Sequence, residues 1–120
     1  METLLYQNSA LSFMTPEAFR FYIPAYLSIV IKEFEKSDVL PLNTVLALTS
    51  PIEVNKLDKF NLMQSHPIIG NFIERISGFN QQQCQAIRYY LEYLNIEKKN
   101  YFINNESQVA IERYWFIFPL

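Results

Sequence analysis

One histidine, His66, and one cysteine, Cys84, are the only imidazole and thiol in this chain of 120 residues. A zinc centre draws its ligands mainly from those two side-chain types at short, fixed spacings, so one of each cannot build it. No His-Glu-x-x-His helix is present either. Glu33, Glu35 and Asp38 are close in sequence, but positions 33 and 35 point to different sides of a helix, and no loop has the oxygen spacing of a calcium site. No metal site is expected. Nucleophilic catalysis would need His66 as base, with Ser65 or Cys84 as attacker. The neighbouring side chains of Ser65 and His66 diverge, and Cys84 falls on an apolar stripe where a buried, inert thiol is the expected state. A spatial Cys84–His66 pair is left open, although His66 reads better as a helix-opening residue beside Pro67. Neither Gly70 nor Gly78 belongs to a phosphate-cradling loop. No catalytic residue and no cofactor is assigned; whether the chain is an enzyme stays undecided, with the balance against it.

The polar residues of most interest are arginines set among aromatics. Arg20 lies between Phe19 and Phe21, one turn after Glu17; Arg88 precedes Tyr89 and Tyr90; Arg113 adjoins Tyr114 and Trp115. Guanidinium groups over rings can hold an acidic partner or a small anion, which makes Glu17, Arg20, Arg88, Tyr89, Arg113 and Trp115 the candidate binding residues. The favoured reading is plainer. Glu17 and Arg20 then form an i,i+3 pair, and the arginine stems cover apolar surface. Tyr89, Tyr90 and Tyr93 cannot all be buried on one helix, and exposed tyrosines suit a protein interface.

Composition narrows the function classes. Half the residues are hydrophobic and 16% aromatic, so large rings are expected to carry most of the packing in one domain spanning 1–120. Two glycines are too few for a sandwich or barrel of tight turns, which favours helices. With a formal charge of −2 and no basic run longer than Lys98-Lys99, nucleic acid is not an expected partner. The longest nearly apolar run, Phe21 to Ile31, contains Pro24 and Ser28 and is about half the length of a membrane span. No membrane association is expected. Met1 to Leu11 lacks the features of a secretory signal, and a lone cysteine suits a reducing compartment, so the expected location is cytoplasmic.

The elements that must position these residues are organised around Thr15 to Phe34. Phe19, Tyr22, Ile23, Tyr26, Leu27, Val30, Ile31 and Phe34 recur at helical spacing, Thr15 can cap, and Pro16 fits the first position. Pro24 predicts a kink within one continuous helix over about residues 16–36. Phe21, Ala25 and Ile29 widen its apolar arc, so neighbours are expected on more than one side. Short helices are expected before it, within Met1 to Phe13, and after it, over Val39 to Leu48 with Val45, Leu46 and Leu48 inward. Ser50-Pro51-Ile52-Glu53 reads as a capping box opening a peripheral helix with Val54, Leu57, Phe60 and Met63. Pro67 opens another, with Ile69, Phe72, Ile73 and Ile76 inward and Gly78 as a left-handed cap. Asn80 and Gln83 form a second capping box, followed by a stripe of Cys84, Ile87, Leu91 and Leu94 with Tyr90 beside it. Those two helices are expected to pair as an antiparallel hairpin. Glu97 to Asn105 is read as a loop, and Asn105 as the cap of a last helix with Ala110, Ile111, Tyr114, Trp115 and Phe118 on one face. The fold class is therefore all-α, a single compact bundle of five to six helices around the Pro-kinked central one.

At LSFMTPEAFRFYIPAYL, Leu11 to Leu27, the chain resembles a bacterial family of unknown function whose members carry a Leu-Ser-Phe-Leu-Thr-Pro-Glu-Ala-Phe-Arg-Tyr-Tyr-Leu-Pro-Ala-Tyr-like segment. Asn80 to Leu94 is similar to that family's Thr-x-x-Gln-x-x-Ala-Ile-like helix start and its Tyr/Phe-Leu-x-x-Leu ending. Tyr114-Trp115 resembles its C-terminal Tyr-Trp. The resemblance implies a compact, largely helical domain and carries over no catalytic residue. Members have more sequence before the segment than the ten residues here, which leaves room for a partner along one flank of the central helix. The expected function is a small non-catalytic module, of inhibitor or immunity type and of bacterial or phage origin, that binds another protein. The alternatives are a small enzyme or anion-binding protein with a pocket at Arg20 and Glu17, and a structural subunit of a larger assembly. A homo-oligomer is left open.

Overall fold

A computed structural model of the chain describes Leu11, residues 14–50 and residues 67–119. Among the described residues the secondary structure is entirely helical. The α-helices are α1 (Pro16–Lys32), α2 (Leu40–Ala47), α3 (Pro67–Ser77), α4 (Gln81–Glu97) and α5 (Glu106–Arg113), with 3-10 turns at Phe34–Lys36, Lys99–Tyr101 and Trp115–Ile117. This is the all-α bundle the sequence predicts. The helices expected before Thr15 and after Ser50, and His66 with them, lie outside the described residues.

α1 starts as its sequence dictates: Thr15 Oγ1 accepts a hydrogen bond from the Ala18 amide at 3.2 Å, and Pro16 occupies the first turn. It runs unbroken through Pro24, whose side chain is exposed. Pro24 removes the amide that would bond the Arg20 carbonyl, yet the helix continues past it. The helix stops at Lys32, earlier than expected. Glu33 leaves helical angles (φ −134°, ψ 47°), and the following 3-10 turn aims Phe34 edge-on at Tyr101, 5.1 Å between ring centres.

Phe19, Ile23, Tyr26, Ile29 and Val30 are buried, but Phe21, Tyr22, Ala25 and Ile31 face water. The wide apolar arc expected of α1 is corrected in part: of Phe21, Ala25 and Ile29 only Ile29 is buried, and among the described residues α2 and α3 pack against the helix. The predicted α3–α4 hairpin is also corrected. α3 lies along α1, α5 lies along α4, and α2 bridges α1 and α5. Polar contacts fix these pairings. Arg75 reaches back to the Met14 carbonyl at 3.3 Å and stands over the Phe19 ring at 5.0 Å, and Ser107 Oγ donates to the Leu91 carbonyl at 2.6 Å.

In α2 the inward residues are Leu40, Pro41, Thr44 and Val45, with Leu48 just beyond, whereas Leu46 is exposed. Thr44 replaces Leu46 inside because its hydroxyl is satisfied there. It donates to the Pro41 carbonyl at 2.8 Å and receives the Tyr90 hydroxyl at 2.7 Å, linking α2 to α4. The Asn80–Gln83 capping box is present in both directions, each bond 2.8 Å, and Cys84, Ile87, Tyr90, Leu91 and Leu94 are buried as predicted. α4 extends to Glu97, and the expected loop after it holds the 3-10 turn Lys99–Tyr101.

Asn105 does precede α5, but in the left-handed region (φ 54°) and with no side-chain capping bond; the carboxylate of Glu106 instead accepts from the Asn104 amide at 2.9 Å. α5 ends at Arg113, short of the predicted Phe118. Breaking the helix at Tyr114 (φ −153°, ψ −52°) turns Trp115 fully into the core, where Nε1 donates to the Leu48 carbonyl at 2.6 Å. Tyr114, Trp115 and Phe118 then cluster with ring centres 5.0 to 5.8 Å apart.

Candidate interaction surface

The three arginines share no partner; each is bonded to different backbone carbonyls. Arg20 Nη1 donates to the carbonyls of Glu74 and Arg75, at 2.8 and 3.2 Å, and so caps the C-terminus of α3, where the helix dipole favours a cation. Among the described residues it makes no ion pair with Glu17, contrary to the i,i+3 expectation. Gly78 is not left-handed as predicted, since no glycine has a positive φ. Its reason is space: a Cβ there would fall on Nε and Cζ of Arg20.

Arg88 reaches from α4 to the C-terminal turn. Nη1 donates to the carbonyls of Phe116 and Phe118, and Nη2 pairs with Glu92 at 3.3 Å. Its Nε is buried without a partner, because the guanidinium is turned to serve the carbonyls. Gln85 Nε2 adds a bond to the Pro119 carbonyl at 3.1 Å. Arg113 Nη1 donates to the Ser50 carbonyl at 3.1 Å. The guanidinium groups thus satisfy the chain's own backbone ends.

Of the remaining candidates, Trp115 is fully buried, Glu17 is exposed at the start of α1, and Tyr89 is exposed on α4. Tyr89 does not stand alone. Ala86, Tyr89, Tyr93 and Ile96 recur at intervals of three and four and are all exposed, forming an outer row opposite the buried stripe of the same helix. Tyr90, the third tyrosine of the cluster, is buried. Ala86 and Ile96 were not among the residues predicted for a site, although the three-four spacing of this second row is written in the sequence.

A groove of about 410 Å³ runs between the C-terminal end of α3 and the last turn, with Cys84, Phe79, Tyr114 and Phe118 among its walls. Burial pushes the Cys84 thiol above its ordinary value, which keeps it protonated and unreactive at neutral pH. Among the described residues no three His, Cys, Asp or Glu side chains are placed to share a metal ion, and no helix is long and apolar enough to cross a membrane.

Burial also raises Tyr26, Tyr90, Tyr101 and Tyr114 above their ordinary 10.0, and Cys84 above 9.0. A group whose folded-state pKa exceeds its unfolded value stabilises the fold fully below the unfolded value, and that stability is lost as pH rises through the folded pKa. The melting temperature is therefore expected to stay level from neutral pH to about 9 and to fall beyond 10, with a shallower fall in Tyr90→Phe. Circular dichroism melts across that range check it; a level profile to pH 11.5 contradicts it.

Among the described residues the architecture is all-helical, with Arg20, Arg88 and Arg113 bonded to backbone carbonyls and exposed apolar residues on the outer faces of α1 and α4. The chain belongs to the family of unknown function DUF6714, whose sequence profile matches residues 2–117. No curated protein and no solved structure matches it.

Proposed function

We propose that the chain is a non-catalytic protein-binding module, a single domain over 1–120, of bacterial or phage origin and working in the cytoplasm as an inhibitor or immunity-type protein. The observation that carries this reading is the outer row of α4. Tyr89 is 57% exposed, Tyr93 37% and Ile96 71%, on a rigid seventeen-residue helix capped at its start and packed along its other side. Tyrosines on a rigid helix present large contact area with little conformational freedom to lose, which is what an interface anchor needs. The charge of −2 and the absence of a basic run favour a protein over nucleic acid. The enzyme reading has less support, because the Arg20 guanidinium that would line its pocket is engaged by the Glu74 and Arg75 carbonyls.

The test is a tagged chain expressed in its native cells beside a Tyr93→Lys/Ile96→Glu variant. Both changes are on the surface, so the variant should keep the wild-type melting curve. A discrete protein retained by the wild type and lost at least about tenfold by the variant is the expected result. Recovery of only the free chain, or equal retention by both, refutes the reading.

A further inference from the structure

α1 has two opposed faces, and the described residues bury only one of them. Opposite the inner row of Phe19, Ile23, Tyr26 and Val30 lie Glu17, Phe21, Pro24, Ser28, Ile31 and Lys32, all exposed. Phe21 is 68% and Ile31 49% exposed, and the Phe21 ring lies 5.0 Å from that of Tyr22 on the same surface. No charged residue interrupts the helix from Phe21 to Ile31. An exposed apolar helix face of this size, bounded by charges, marks a docking surface.

The charges at its two ends say what docks. Glu17 stands in the first turn and Lys32 in the last, both exposed and neither in an ion pair among the described residues. We propose that this face is the contact between two copies of the chain, with α1 packed antiparallel on the partner's α1 about a two-fold axis. A two-fold contact uses the same patch on both sides, so the patch must complement itself. This one does. With the axis beside Pro24 and Ala25, Glu17 meets the partner's Lys32 and Lys32 meets the partner's Glu17. In the same register Phe21 covers the partner's Ser28, a large side chain over a small one, and Pro24 abuts the partner's Ala25.

An in-register parallel pairing is selected against. A parallel pair would set Glu17 beside the partner's Glu17 and Lys32 beside the partner's Lys32. Like charges in these positions act as an orientation device. A seventeen-residue helix is about 25 Å long, so the contact is smaller than a standard interface, and a weak, concentration-dependent dimer is expected. The face lies on a different helix from the outer row of α4, so self-association and capture of another protein can succeed or fail separately.

Sedimentation of the purified chain between about 1 and 500 μM tests the proposal. The expected result is a monomer–dimer equilibrium that Ser28→Arg abolishes. Glu17→Lys and Lys32→Glu should each raise the dissociation constant about tenfold, while the two together return it to within about twofold of wild type. Circular dichroism melts confirm that each variant is folded. Monomer throughout the range, a dimer indifferent to Ser28→Arg, or a double reversal no tighter than its parents each overturns the proposal.

Discussion

Trp115→Ala is expected to lower the unfolding free energy by about 4 kcal/mol, the range for removing a large buried aromatic side chain. The residue is fully buried, sits among the rings of Tyr114 and Phe118, and supplies the donor for the Leu48 carbonyl at 2.6 Å. Alanine would remove the ring contacts, leave a cavity, and strand that carbonyl at the end of α2. Trp115→Phe separates these effects, since it keeps a ring and loses only the donor; about 1–2 kcal/mol is expected for it. Urea unfolding followed by circular dichroism measures both, with an unchanged slope as the sign that only stability has moved. If Trp115→Phe matches wild type, the indole bond contributes nothing to stability.

Gly78→Ala is expected to destabilise by about 2 kcal/mol, although propensity argues the other way. Gly78 is exposed and has no positive φ, so alanine brings no backbone strain and would ordinarily stabilise slightly. Its Cβ, however, would take the place of the Arg20 guanidinium, and the arginine must swing away from the carbonyls of Glu74 and Arg75. What is lost is a pair of charge-assisted bonds that cap α3 and join it to α1. The decisive measurement is the double-mutant cycle. In an Arg20→Ala background the same Gly78→Ala change should become neutral or stabilising, with a coupling of about 2 kcal/mol. Equal cost in both backgrounds would mean that Gly78 is not there for Arg20.

The cycle also illustrates how far local reading goes. The start of α1 at Thr15-Pro16, the capping box of Asn80 and Gln83, and the buried stripe of α4 follow from side chains within one turn of each other, and they are legible in a single sequence. Arg20 and Gly78 are not, because their relation spans two helices that meet only after α3 docks on α1. Glu17 sits three residues from Arg20 and looked the better partner by spacing alone. Two carbonyls at a helix end, held in place and partly out of water, hold the guanidinium instead of an exposed, freely rotating carboxylate.

The candidate site divides in the same way. Tyr89 and Tyr93 were recognised as too many tyrosines for one buried stripe, and the outer row they share with Ala86 and Ile96 is the same arithmetic carried two steps further. Trp115 carries two expectations, a place on the apolar face of the last helix and a place among the binding residues; it is buried with Ala110 and Ile111, turned inward by the break at Tyr114. Phe21 and Ile31 were misjudged. They fit the apolar count of a buried helix, and only the packed structure shows that they face water.

What the amino acids determine by themselves is therefore the helical character of the chain, the ends of its better-capped helices, and the inner stripe of α4, since each depends on neighbours within about four positions. Which helices lie side by side, which apolar residues stay outside, and which backbone ends the arginines close were decided only by tertiary packing. Those outcomes rest on contacts between residues tens of positions apart, and an amphipathic pattern says that a face will be covered without saying by what.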